Sequence, residues 1–213
     1  MIQVKICGLT APEEVRAVNE AGADYAGFVF YPESRRNVSP GQAQRLLSLL
    51  DPAIRSAAVC VSPEKTLPRE IAGMGFDIIQ IHDALPEEAL ELNNIEIWQA
   101  VNFAGPGDLE NIVNHPAVRG YVVDGAAWGS GKTFGWETAG EEETISGRMF
   151  RQAFGDRKFI LAGGLTAENV RKGMELFRPD AVDVSSGVEN QNGKDSRLIR
   201  QFIDIVRNQT ERG

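Results

Sequence analysis

Short apolar runs bounded by turn residues recur along the chain, with segments of helical character between them. The runs that read as strands are Gln3–Cys7, Tyr25–Phe30, Ser56–Val61, Ile78–Ile81, Glu96–Val101, Gly120–Val123, Lys158–Leu161 and Ala181–Val184. Strands alternating with helices at short, regular spacing predict successive βα units of a parallel sheet. A set of eight predicts an α/β fold of the (β/α)8 TIM-barrel type, with eight parallel strands closed on themselves. Thr10 with Glu13 and Ser39 with Gln42 fit capping boxes, and Pro40 and Pro63 stand where a first helical residue would be. Ala21-Gly22 and Gly73-Met74-Gly75 read as helix ends before strands. No linker, low-complexity tract or internal repeat interrupts residues 1–213, so a single barrel domain is expected.

One stretch, Lys158–Gly187, is organised differently from the rest. Phe159-Ile160-Leu161-Ala162 runs into Gly163-Gly164, Thr166 is expected to open a helix, and the next strand ends at Ser185-Ser186-Gly187. Small residues at two successive strand ends let backbone N–H groups approach a ligand, which is how a chain holds a phosphate. In barrels of this kind the loops after strands 7 and 8 often form such a site.

Composition narrows the picture. The chain is 42% hydrophobic and 24% charged, enough for one sizeable core, and its net charge of -8 comes with no cluster of lysines and arginines. Nucleic acid and anionic membrane surfaces are therefore not expected partners. The N-terminus runs directly into a strand and no apolar run is long enough to span a bilayer, so a cytoplasmic protein is expected. Cys7 and Cys60, the two cysteines, fit a reducing compartment better than a disulfide.

If the barrel forms, chemistry belongs to the polar residues that end its strands. Cys7 ends strand 1 beside Gly8 and shares a strand face with Lys5. A buried cysteine is more often a small inert hydrophobe than a reagent, but nearby cations at this position would favour a reactive thiolate. Cys60 has only apolar neighbours and reads as packing. Asp124 ends strand 6; it either caps the long loop or pairs with Lys132, or it is a general acid kept protonated by burial. Arg35-Arg36, after strand 2, are either a solvated pair or a grip for a carboxylate. His82 and His115 have no metal-ligand spacing, and no metal is expected. Gly129-Ser130-Gly131-Lys132-Thr133 imitates a nucleotide-binding loop, but Ala126 stands where the first glycine is needed and no helix start follows. Dinucleotide and nucleophile-elbow motifs are absent from the sequence.

Several of these segments together resemble the phosphoribosylanthranilate isomerase family. They are Lys5-Ile6-Cys7-Gly8-Leu9-Thr10, Gly27-Phe28-Val29-Phe30 with Ser34-Arg35-Arg36, Gln80-Ile81-His82, and Gly129-x-Gly131-Lys132-Thr133-Phe134-x-Trp136. Leu161-Ala162-Gly163-Gly164-Leu165 with Glu168-Asn169-Val170, and Val182-Asp183-Val184-Ser185-Ser186-Gly187-Val188-Glu189 with Gly193-Lys194-Asp195, complete the match in order along the chain. Arg35 stands where the family usually has proline, Asp83 where it has glycine, and Gly135 where aspartate is common.

The resemblance implies a (β/α)8 barrel that catalyses an Amadori rearrangement of a phosphoribosyl substrate in tryptophan biosynthesis, without metal or nicotinamide. It implies Cys7 as general base, Asp124 as general acid, Arg36 as the grip on the anthranilate carboxylate, and Gly163, Gly164, Ser186 and Gly187 as the phosphate cradle. A bispecific sugar isomerase that also serves histidine biosynthesis and a non-catalytic phosphosugar-binding barrel are the alternative readings. The first usually needs two aspartates, and the second would lack the acid–base pair. Monomer and homodimer are both compatible with the sequence.

Overall fold

Alternation along each strand sorts the chain into two hydrophobic compartments. In β4 (Ile78–His82), Ile79 and Ile81 face one way and Ile78, Gln80 and His82 the other; in β6 (Val118–Gly125), Tyr121 and Val123 oppose Gly120, Val122 and Asp124. In the computed structural model, which describes residues 1–125 and 147–210, the first set packs under the helices and the second fills a barrel. The remaining strands are β1 (Gln3–Cys7), β2 (Tyr25–Phe30), β3 (Arg55–Val61), β5 (Glu96–Phe103), β7 (Lys158–Leu161) and β8 (Ala181–Val184). All eight pair in parallel in sequence order, and β8 closes on β1 through Gln3↔Ala181 and Lys5↔Asp183. The expected eight-stranded barrel is present, with strands at the expected positions to within two residues at either end.

Helices cover the barrel: α1 (Pro12–Ala21), α2 (Pro40–Leu47), α3 (Leu67–Gly73), α4 (Glu87–Leu90), α5 (Gly147–Phe154), α6 (Val170–Phe177) and α7 (Ser196–Thr210), with a 3-10 turn at Pro106–Asn111. The last of them shows why they form. Ile199, Phe202, Ile203 and Val206 recur at helical spacing and are buried. Asp195 accepts from the Arg197 and Leu198 N–H groups at 2.8 and 3.3 Å, satisfying donors that the first turn leaves free.

Three expected helix starts are corrected. Glu14, not Glu13, reaches back at the first helix start: it accepts from the N–H groups of Thr10 and Ala11 at 2.6 and 3.1 Å, and because Ala11 is the cap residue and has no side-chain acceptor, only this half of a capping box forms. Ser39 does cap α2, accepting from Gln42 N–H at 3.3 Å, but the Gln42 amide instead donates to the Thr10 carbonyl at 2.8 Å. Pro63 starts no helix, because Ser62 turns the chain with φ +38° and α3 begins at Leu67. Thr166 opens only a turn, with the helix proper starting at Val170. Cys7 and Cys60 are both free thiols.

Inside the barrel, Gly120 makes room for Trp98; a Cβ there would lie 2.9 Å from the indole ring. The floor is polar: Tyr25 and Lys158 both donate to Gln3 Oε1, at 2.8 and 2.7 Å. Outside, Phe150 of α5 is fully buried with its ring 4.9–5.9 Å from those of Phe103, Phe154, Phe159 and Phe177. Truncating it removes the centre of that cluster. Phe150→Ala is expected to cost about 3–5 kcal/mol in stability, measured as a drop in the urea midpoint at unchanged slope.

Among the described residues no helix is long and apolar enough to cross a membrane.

Candidate active site

The carboxyl ends of the strands gather the residues singled out in the sequence. Cys7 is the last residue of β1, and Gly8 follows with φ +85°, in the left-handed region. A side chain at Gly8 would run into the Cδ of Arg36, so the glycine lets the aliphatic stem of Arg36 lie directly over the backbone next to Cys7. Opposite Cys7, the Gly27 backbone in β2 leaves space for the Cys7 thiol and the Lys5 ammonium, which would be 2.8 and 3.2 Å from a Cβ there. Both side chains therefore point into the barrel, as alternation along β1 requires.

Beneath Cys7 lies an ion pair. Lys5 Nζ donates to Asp183 Oδ2 at 2.8 Å, and Lys5 is completely buried. Burial works against the ammonium, but the charges of Asp183 and Cys7 hold its pKa above the usual lysine value. For the thiol the balance runs the other way. Burial pushes Cys7 up, and although Lys5 and Lys194 favour the thiolate, Asp183 opposes them and the net shift is upward. Neighbouring cations do favour the thiolate, as the position of Cys7 allowed, but desolvation in the barrel outweighs them.

Asp124 sits near the end of β6, register-paired with Asn102 of β5. Its Oδ1 accepts from the Gly125 N–H at 2.8 Å. Burial, with Asp183 adding to it against the Gly125 bond and Lys5, raises its pKa to about 6. The Lys132 partner considered for it lies outside the described residues, as does the Gly129–Trp136 motif. Gly163, with φ +82°, closes against it: a Cβ there would stand 2.5 Å from Gly125 N and 2.8 Å from Asp124 Oδ1.

Gly164 follows with φ +62°, and Ser186 and Gly187 open a short 3-10 turn (Ser186–Val188) after β8. A side chain at Gly187 would strike the Leu165 carbonyl, so the two turns touch. Among the described residues, no acceptor takes the N–H groups of Gly163, Gly164, Ser186 or Gly187. Unpaired donors converging from two turns suit an anion.

The two arginines separate clearly. Arg35 is 72% exposed at its side chain, whereas Arg36 is 15% exposed and lies over Gly8. His82 is buried and its pKa is lowered to about 3, by desolvation first and by the Lys5 charge second, so its ring is neutral at physiological pH. Asp83 adopts φ +59°, the conformation that favours glycine, and its exposed carboxylate accepts from Ser62 Oγ at 3.4 Å. No group of side chains among the described residues is arranged to hold a metal ion.

Four further polar residues lie at this end, three of them (Asp183, Glu189 and Lys194) in segments that carry the resemblance but with no role implied for them. Asp183 is a polar interruption of an apolar strand. Asn102 carries a buried amide oxygen that meets no donor among the described residues. Glu189 and Lys194, on the two-stranded ribbon Glu189–Asn190 and Gly193–Lys194, form a 2.6 Å ion pair in which Lys194 is fully buried.

Comparison with known proteins agrees with this geometry. Residues 4–205 match the profile of the family described as N-(5'phosphoribosyl)anthranilate (PRA) isomerase. An N-(5'-phosphoribosyl)anthranilate isomerase from Clostridium kluyveri is 39% identical over 210 residues, covering 98% of this chain and 99% of the relative. The phosphoribosyl anthranilate isomerase structure from Thermotoga maritima superposes with a TM-score of 0.82 at 32% identity, covering 98% of this chain and all of that one. A second isomerase structure, in complex with reduced 1-(o-carboxyphenylamino)-1-deoxyribulose 5-phosphate, gives 0.80 at 33% identity, with 98% of this chain and 100% of that chain covered. A match of this length in both sequence and fold, over a chain whose strand ends already carry the family's segments, means that the protein belongs to the N-(5'-phosphoribosyl)anthranilate isomerase family.

Proposed function

We propose that this chain converts N-(5'-phosphoribosyl)anthranilate to 1-(2-carboxyphenylamino)-1-deoxyribulose 5-phosphate, with Asp124 as general acid and Cys7 as general base. The observation that carries the reading is the pairing of two proton-transfer groups of different chemistry at one barrel mouth, next to a set of unpaired backbone donors. Gly163, Gly164, Ser186 and Gly187 hold the phosphate, and Arg36 holds the anthranilate carboxylate. With both ends fixed, the ribose lies between the acid and the base.

Asp124 gives its proton to the ribose ring oxygen as the C1'–O bond breaks, and the anthranilate nitrogen lone pair forms the C1'=N bond. The Cys7 thiolate then takes the proton from C2'. The electrons of that C–H bond form C1'=C2' and return the nitrogen to neutrality, giving an enolamine. Proton movement from the C2' hydroxyl to C1' completes the ketone. The substrate's own nitrogen is the electron sink, so acid, base and positioning account for the reaction.

A pKa of about 6 for Asp124 and a raised pKa for Cys7 make thiol and carboxylate the main forms at neutral pH. The productive pair, thiolate with carboxylic acid, has the same net charge and differs by the location of one proton. Lys194 favours that arrangement by stabilising the thiolate, whereas Lys5 stabilises both the thiolate and the Asp124 carboxylate.

The test has a genetic and a chemical arm. Expression in a tryptophan auxotroph lacking this step is expected to restore growth without tryptophan. The purified protein is expected to quench anthranilate-type fluorescence when the substrate is formed in situ. Binding of the product analogue without turnover would leave only the non-catalytic reading.

A further inference from the structure

The guanidinium of Arg36 is already engaged by a carboxylate. Its Nε and Nη2 donate to Glu189 Oε1 and Oε2 at 2.7 and 2.9 Å, a two-pronged contact along one edge of the plane. Five N–H groups surround a guanidinium, so this contact leaves both N–H groups of Nη1 and the second of Nη2. No described residue takes them. We propose that Glu189 is a positioning residue that fixes Arg36 by its Nε/Nη2 edge and so presents the Nη1/Nη2 edge to the substrate carboxylate.

The surroundings of Glu189 are built for holding rather than for binding. Lys194 Nζ donates to its Oε1 at 2.6 Å, and Lys194 is itself anchored to the Ser185 carbonyl and hydroxyl at 3.0 and 3.1 Å. The Ser185 hydroxyl donates to the Cys7 carbonyl at 2.9 Å, which ties the cluster to β1. Glu14 joins the ribbon to the loop after β1, accepting from Lys194 N–H at 2.9 Å and from Thr10 N–H at 2.6 Å. Arg35 adds a third cation at 2.5 Å from Glu189 Oε2. Gly8 supports the stem of Arg36 and Glu189 its head, so the free edge has one direction. A planar carboxylate recognised by that edge must arrive from the mouth, and a substrate without one gains nothing from it.

This inference rests on the proposed isomerase reading, and turnover by the wild-type protein tests that reading separately. Substrate is formed in situ from ribose 5-phosphate with either anthranilate or aniline, which lacks the carboxylate, and kcat/KM is measured for both. In Glu189→Gln, the preference for the anthranilate substrate is expected to fall by about ten- to hundred-fold, the loss of a charged hydrogen bond. It is expected as a rise in KM with kcat changed by less than about three-fold. A purely structural role would lower both substrates alike, and that result overturns the proposal. So does a gain in preference, which would mark Glu189 as a competitor for Arg36. If Glu189→Gln does not fold, Glu189→Asp, which keeps the charge but is one methylene too short for both prongs, is measured by the same ratio. Wild-type preference in the folded variant overturns the proposal.

Discussion

Cys7→Ala is expected to lower kcat by about 10²- to 10⁴-fold, the usual range for removing a general base, while leaving KM and stability nearly unchanged. The thiol is buried but small, and it sits over an ion pair in which Lys5 and Asp183 bond each other directly at 2.8 Å, so that pair is expected to survive loss of the sulfur. Phosphate and carboxylate contacts are made by other residues, so binding survives. Cys7→Ser is expected to be no better than alanine, because a hydroxyl in the same desolvated position ionises far less readily than a thiol. Steady-state kinetics of both variants, with the reduced product analogue as a binding control, check the assignment. Turnover at the wild-type rate in Cys7→Ala would remove Cys7 from the mechanism.

Asp124→Asn is expected to cost a similar 10²- to 10⁴-fold, since an amide cannot deliver a proton to the ring oxygen. Its pH profile carries more information than its rate. In the wild type, Asp124 must be protonated and Cys7 ionised. Below pH about 6 the acid is fully protonated and the thiolate fraction rises with pH, so kcat/KM rises with it. Above about 6 the acid is lost as fast as thiolate is gained, and the profile is level until the raised Cys7 pKa is reached. Beyond that it falls. In Asp124→Asn the break near 6 disappears and the residual rate keeps rising up to the Cys7 pKa. The second ionisation of a phosphate monoester also lies near 6, and a break from that source would persist in the variant. A break that persists unchanged would assign it to the substrate.

How much of this was legible before folding depended on the range of the interaction. Strand positions follow from local apolar runs, and β1, β2, β7 and β8 have the expected ends because each is bounded by turn residues. Helix starts fared worse. Glu13 and Glu14 are adjacent carboxylates, and which one reaches back to the cap depends on where the chain leaves β1; Glu14 also receives the Lys194 N–H, a partner 180 residues away. Pro63 has the sequence signature of a first helical residue, yet the positive φ of Ser62 turns the chain before any helix can start.

The sequence by itself determined the eight-fold alternation of strand and helix, the barrel class, and the candidates Cys7, Asp124, the Arg35-Arg36 pair, Gly163, Gly164, Ser186 and Gly187, because residue type and order along one strand or turn are local properties; the choice of Arg36 came only from the family resemblance. Tertiary structure decided their electrostatics. Cations near Cys7 could have favoured its thiolate, but the strand that brings Lys5 also buries the sulfur and faces it with Asp183 from β8, and desolvation wins. It also gave different surroundings to Arg35 and Arg36, identical in chemistry and adjacent in sequence, by laying Arg36 over Gly8 and leaving Arg35 mostly exposed. Glu189 and Lys194 stood in segments that carry the family resemblance, but nothing local to them gave either a role. They matter only because closing β8 onto β1 carries the ribbon beyond β8 across the mouth to the loop that bears Arg36, bringing together charges 153 residues apart.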